Sequence, residues 1–306
     1  MMQPTLNHVS CPGPGAAGGP SEQGHRLAYW EWNDTGNPAH PHVILCVHGL
    51  TRQGRDFDTL ARHLSRHARV ICPDVAGRGE SDWLADPMAY QVPVYAADML
   101  SLLLQLQAPI GTLDWVGTSM GGLIGMGVCG VPELPLPVPV RRLVLNDVGP
   151  RIEWQALQRI GQYLGQPLRF ESLQQAADAL WAVSSSFGPH TPEQWLELSR
   201  HMVCPAAEGG FKLHYDPAIA TAFKSLTPDS ASASEQQLWQ LYDQITAQTL
   251  LLRGAESDLL SPQTAQEMAQ RGPRARLVEF AGVGHAPTLI SDDQVAAVAG
   301  FLLGEA

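Results

Sequence analysis

The sequence predicts an α/β fold: a doubly wound, mostly parallel sheet with an inserted helical cap. Three observations carry this reading. Short apolar runs alternate with helix-length segments over residues 24–150 and again over 246–306, the pattern of parallel strands joined by crossover helices. The runs HVILCV (42–47) and TLLL (249–252) are apolar without alternation, as strands buried on both faces are. Between the two halves, residues 151–245 change character: 152–223 shows helical periods, bulky anchors at Trp154, Trp181, Trp195 and Phe211, and no convincing strand.

Taken in order, residues 1–20 are rich in Pro and Gly, and 1–23 read as a mobile arm. No basic region is followed by an apolar block there, so a signal peptide is not expected. HRLAYWEW (25–32) reads as a strand and 33–38 as a turn. The strand 42–47 ends at His48-Gly49-Leu50-Thr51, and helical spacing follows over 56–65. Residues 69–72 make a short strand closed by Pro73-Asp74, and then comes the turn Gly77-Arg78-Gly79-Glu80-Ser81. A helix is predicted over 94–106, and a strand over 113–116. The proline-rich 131–140 fits neither a helix nor a central strand. Strand character returns at 142–146. After the cap, strands at 249–252 and 275–280 alternate with helices at 262–271 and 292–303.

Composition narrows the function. Nineteen Lys and Arg against thirty Asp and Glu give a net charge of −11, which argues against a nucleic-acid surface. A hydrophobic share of 44% supports a substantial core, and no apolar run has transmembrane length. The five cysteines are scattered without CxxC spacing. Cys46, Cys72 and Cys129 read as buried free thiols, which points to a reducing cytoplasm. His63, His67, His190, His201 and His214 share no ligand spacing, so no metal and no cofactor are expected.

The chemistry concentrates at strand ends, where a parallel sheet places its sites. Gly117-Thr118-Ser119-Met120-Gly121 joins the strand at 113–116 to a small-residue helix. A serine on so sharp a turn needs flanks without a Cβ, and its hydroxyl then stands exposed at the positive end of a helix. Serine is a poor nucleophile without an adjacent base. His285, between Gly284 and Pro287 after the last strand, is the candidate base. An acid must orient that imidazole. Asp258, in the turn after 249–252, is the leading candidate; Asp147 and Glu256 are alternatives.

These features in this order resemble the α/β-hydrolase superfamily. His48-Gly49, the Asp74-x-x-Gly77-Arg78-Gly79-x-Ser81 turn, the Gly117–Gly121 elbow, Asp258 and Gly284-His285-x-Pro287 carry the resemblance, which runs from about residue 24 to the C-terminus. It implies a Ser119–His285–Asp258 triad and an oxyanion hole made of the backbone N–H groups of Leu50 and Met120. His48 and Gly49 would hold the loop beneath it, and Asp74, Arg78 and Ser81 would form a structural turn. Arg52, Arg55 and Asp56, after the oxyanion turn, read as a solvated face, with the lining of the entrance as the alternative. Serine at the elbow implies an acyl-enzyme, since relatives that act on haloalkanes or epoxides carry aspartate there.

The cap contributes Trp154, Leu157, Ile160, Leu164, Phe170, Leu180, Trp181, Val183, Phe187, Trp195, Leu198 and Met202. Most of these are expected to pack between cap helices. An apolar cleft with few polar fixtures favours a small-molecule ester with an apolar acyl or alcohol group. Carboxylesterase is therefore the leading reading. One alternative is a carbon–carbon hydrolase of the meta-cleavage type, whose oxyanion loop usually carries further glycine and proline where this chain has Leu50-Thr51-Arg52-Gln53. The other is a hydrolase-fold protein that binds a ligand without turnover. Neither a nucleic-acid partner nor a membrane is expected.

Overall fold

The computed structural model describes residues 3–14 and 20–304. The first half of the core consists of β1 (Thr5–Pro14), β2 (Pro20–Trp32), β3 (His42–Val47), α1 (Asp58–Leu64), β4 (Arg69–Pro73), α2 (Val92–Gln105), β5 (Thr112–Thr118), α3 (Met120–Gly130) and β6 (Val140–Asn146). The cap follows with α4 (Trp154–Tyr163), β7 (Arg169–Phe170), α5 (Leu173–Ser184), α6 (Pro192–Arg200), β8 (Val203–Pro205), β9 (Phe211–Leu213) and α7 (Ile219–Lys224). The chain closes with α8 (Pro228–Gln244), β10 (Gln248–Gly254), α9 (Pro262–Met268), β11 (Arg276–Phe280) and α10 (Asp292–Leu303).

Among the described residues, eight strands form one sheet in the order β1-β2-β4-β3-β5-β6-β10-β11. β1, β2 and β4 pair antiparallel; every pairing from β4 to β11 is parallel. The unbroken apolar strands have the predicted cause. Val43, Leu45 and Val47 of β3 point into one apolar layer with Met99 and Leu102 of α2, while Ile44 and Cys46 point into the opposite layer with Leu60 of α1 and Leu302 of α10. Both faces are thus covered by helices, as a parallel sheet requires. Among the described residues no helix is long and apolar enough to cross a membrane.

Three expectations are corrected. The mobile arm is instead an edge hairpin: β1 pairs with β2 from Thr5↔Glu31 onward, while residues 1–2 and 15–19 of the predicted arm lie outside the described residues. Side-chain contacts fasten the hairpin to α2. His25 Nε2 and Asp98 Oδ2 are 3.0 Å apart, and Gln105 Nε2 donates to Ser10 O at 2.8 Å. Pro and Gly signalled irregular chain, but this backbone found its hydrogen bonds at the sheet edge. The cap is not purely helical, because β7, β9 and β8 form a small antiparallel sheet; two- and three-residue strands are too short to leave a period in sequence. The cap also ends earlier than residue 245. α8 belongs to the core, with Trp239 and Tyr242 in the main apolar layer and the Leu241 carbonyl packed on Gly130 of α3.

Sheet register fixes the level of the site. Val47 is paired with Gly117, Thr118 with Asn146, and Asn146 with Leu252. His48, Ser119 and Asp147 therefore leave three adjacent strands at one level.

Candidate active site

Ser119 caps the end of β5 with φ 52° and ψ −117°. That left-handed backbone is unfavourable for any side chain, at a cost of about 1–3 kcal/mol, and the surroundings must hold it. They do so by close packing. A Cβ on Gly117 would stand 2.3 Å from the Gly121 carbonyl oxygen, and one on Gly121 1.9 Å from that of Val47. The Ser119 N–H donates to Asn146 O at 2.9 Å, and its own carbonyl accepts the Gly122 N–H at 2.8 Å, starting α3.

His285 stands on the loop after β11. Its Nε2 accepts from Ser119 Oγ at 2.9 Å, and its Nδ1 donates to Asp147 Oδ2 at 2.7 Å. Backbone close to glycine shapes this loop: a Cβ on Gly254 would meet the carbonyl oxygens of Gly284 and Val283 at 2.3 and 2.4 Å. Asn146 fastens it, donating from Nδ2 to Pro287 O at 2.8 Å and to Thr118 Oγ1 at 3.0 Å.

The acid on His285 is Asp147, which corrects the expectation of Asp258. Asp147 is fully buried with φ 56°. Besides His285 it accepts the Gly254 N–H at 2.9 Å on Oδ1 and the Ser257 hydroxyl at 2.6 Å on Oδ2. Asp258 instead receives Arg159 of α4, Nε at 2.7 Å and Nη2 at 3.0 Å, in a partly exposed ion pair. The reason is register. β6 is hydrogen-bonded to β5, so the residue after its end is beside Ser119, whereas Asp258 lies four residues beyond the end of the next strand out. Sequence reasoning had weighed Asp147 but missed Ser257 and Asn146; polar residues at the ends of neighbouring strands were the available signal.

The loop after β3 closes the other side. A Cβ on Gly49 would lie 3.6 Å from Ser119 Cβ. His48 is buried, with its Nδ1 donating to Gly49 O at 2.7 Å and its Nε2 accepting the Val75 N–H at 2.9 Å. Both nitrogens are used by the neutral ring, and burial pushes the His48 pKa down to about 3. Arg78 Nε donates to Leu50 O at 2.8 Å, supporting the same loop. The turn beneath is tied by Asp74, which accepts the N–H groups of Gly54 and Glu80 at 2.7 and 3.0 Å, and by Ser81 Oγ on Asp74 O. Burial raises Asp74 to about 6. The Leu50 N–H has no acceptor among the described hydrogen bonds. Met120 opens α3, where an N–H has no intrahelical acceptor.

Ser119 and His285 lie in the wall of a cavity of about 160 Å³ between core and cap. Of the twelve apolar cap residues, Ile160, Phe170, Leu180, Val183, Phe187, Leu198 and Met202 line it, so more of them face the cavity than amphipathic spacing suggested. Arg52 and Asp56 also line it and are paired, Nε to Oδ2 at 2.5 Å and Nη2 to Oδ1 at 3.0 Å. They are not a solvated face.

Comparison with known proteins agrees with this geometry. Residues 44–300 match the model of the alpha/beta hydrolase family. The chain is 47% identical over 304 residues to a 3-hydroxybutyrate-oligomer hydrolase of Cupriavidus necator, covering 98% of both chains. Its backbone is similar to that of a putative hydrolase from Rickettsia typhi, with a TM-score of 0.85 and 28% identity over 99% of this chain and 100% of the other. It is also similar to an alpha/beta hydrolase from Novosphingobium aromaticivorans, with a TM-score of 0.82 and 35% identity over 99% of each chain. Strand order, the serine turn between β5 and α3, and a match spanning most of the sequence all place this chain in the α/β hydrolase family.

Proposed function

We propose that the protein is a serine hydrolase that cleaves short oligoesters of hydroxy acids through an acyl-enzyme. One observation carries the reading: a continuous hydrogen-bonded line from Ser119 Oγ through His285 to Asp147, in the wall of an apolar cavity. The oligoester class is supported by the 47% identical relative, whose match covers 98% of the chain.

The geometry allows each step. Ser119 Oγ attacks the ester carbonyl carbon while His285 Nε2 takes its proton, and Asp147 stabilises the imidazolium that forms. Negative charge then develops on the carbonyl oxygen. The N–H groups of Met120 and Leu50 are the donors for it, and one such donor is worth about 3–4 kcal/mol in the transition state. His285 returns the proton to the leaving alkoxide, which departs as the alcohol. Water activated by the same nitrogen hydrolyses the acyl-serine. Asp258 has no part in the relay.

Purified protein should hydrolyse p-nitrophenyl butyrate and the linear dimer of 3-hydroxybutyrate. Ser119→Ala should abolish both activities, and a fluorophosphonate should label wild type alone. Cleavage of a vinylogous diketone acid far faster than any ester would move the assignment to carbon–carbon hydrolysis. Ligand binding with neither turnover nor labelling would leave a binding protein.

A further inference from the structure

The carboxylate that sequence reasoning assigned to catalysis occupies a guanidinium at the cavity. Among the described residues, three charged side chains line that cavity: Arg52, Asp56 and Arg159. In a chain of net charge −11 the lining is therefore cationic. The two arginines differ in availability. Arg52 is sealed: both partners of its bidentate pair are largely buried, at 12% and 17% side-chain exposure, and its guanidinium lies 5.7 Å from the centre of the Phe187 ring. Arg159 is open, its side chain 37% exposed and that of its partner Asp258 48% exposed. Asp258 comes from the core loop after β10 and is not part of the lining. An exposed pair of this kind contributes little, because water screens both charges. A planar guanidinium binds any carboxylate through the same two-pronged geometry that Asp258 now uses.

We infer that Arg159 is the docking point for the free carboxylate of an acid-terminated ester, with Asp258 as the resident group that this carboxylate displaces or joins. This rests on the ester-hydrolase reading above and specifies its substrate: every linear oligomer of a hydroxy acid carries one free carboxylate at one end. Arg159 belongs to the cap and Ser119 to the core. The ligand then spans the two, its ester at Ser119 and its charge under α4. Asp258 keeps the guanidinium oriented when the cavity is empty, at the expense of competing with the ligand.

The test compares the free-acid dimer of 3-hydroxybutyrate with its methyl ester in wild type, Arg159→Gln, Arg159→Lys and Asp258→Asn. Wild type should favour the acid in kcat/KM by about tenfold to a hundredfold, the range of one charged hydrogen-bonded contact. Arg159→Gln should bring that ratio close to one, mainly through KM for the acid. Arg159→Lys should recover part of it, and Asp258→Asn should lower KM for the acid. Equal use of acid and methyl ester by wild type, or equal loss on both in Arg159→Gln, would overturn the inference. Calorimetric binding of 3-hydroxybutyrate to Ser119→Ala protein reads the site without turnover: binding that disappears in Ser119→Ala/Arg159→Gln supports it, and binding that persists refutes it. If p-nitrophenyl butyrate is also untouched by wild type, the ester reading fails on its own account, separately from that binding result.

Discussion

Asp147 and His285 are 138 residues apart in the chain, yet Asp147 Oδ2 lies 2.7 Å from His285 Nδ1. The contact joins the end of β6 to the loop after β11, across β10. Gly254 at the end of β10 donates its N–H to the same carboxylate, so the intervening strand braces the pair.

Asp147→Asn should lower kcat on p-nitrophenyl butyrate by about 10³–10⁴-fold, the usual result of presenting the base with the wrong tautomer. Asp258→Asn should retain kcat on the same neutral ester to within about threefold, because it breaks only an exposed ion pair. Steady-state kinetics of the two variants side by side decides between the acids. A reversed order would return Asp258 to the relay.

Ser257 places a hydroxyl 2.6 Å from Asp147 Oδ2. Ser257→Ala removes one hydrogen bond to a buried carboxylate. The expected loss in kcat is about tenfold, equivalent to roughly 1.4 kcal/mol. Unchanged kcat would show that Gly254 and His285 are enough to hold the carboxylate.

Gly121 and Gly127 lie on the same helix and should respond in opposite directions. A Cβ at Gly121 meets the Val47 carbonyl oxygen at 1.9 Å, whereas nothing lies within 4 Å of one at Gly127. Gly121→Ala should destabilise the protein by about 2–3 kcal/mol or more, since the obstacle is backbone and cannot rotate away. Gly127→Ala should be neutral or stabilise by about 0.5–1 kcal/mol, the helical preference for Ala over Gly. Denaturant midpoints for both variants check the contrast.

His48 sets a pH dependence of stability. Its pKa in the fold is about 3, against about 6.5 in an unfolded chain. Between those values the unfolded state holds the extra proton, so stability falls as pH drops from 6.5 toward 3. The slope is about 1.4 kcal/mol per pH unit for this one group. Asp74, raised to about 6, acts in the opposite direction between pH 6 and 3.8 and is common to wild type and variant. Denaturant unfolding of wild type and His48→Gln at pH 7 and pH 4.5 should therefore show the smaller acid loss in the variant. Equal losses would mean that the ring is protonated in the fold.

Much of this was readable from residues alone. The alternating strands and helices, the serine turn and His285 each follow from short-range chemistry, because apolar runs, paired glycines and a Gly-x-x-Pro frame act over a few positions. What failed depended on which strands are neighbours. Both Asp147 and Asp258 end or follow a strand and both lie between Ser119 and His285 in sequence; only the hydrogen bonding of β6 to β5 separates them. The hairpin of β1 and β2 was hidden for a similar reason, since Pro and Gly describe local backbone and not the partner found at a sheet edge. Arg52 follows the oxyanion turn closely enough in sequence for a place at the entrance to be an open reading, whereas the cavity role of Arg159 arises from cap-to-core packing, which no window of sequence contains.

The cap departs from the core after β6 and rejoins it through α8 and β10, and β6 and β10 are hydrogen-bonded to each other. The whole roof is thus one uninterrupted detour hung from a single seam. Ser119 and His285 lie outside it, as does the Asp147 that links them. A descendant could lengthen, trim or exchange that detour wholesale and keep the reaction while changing which compound is admitted.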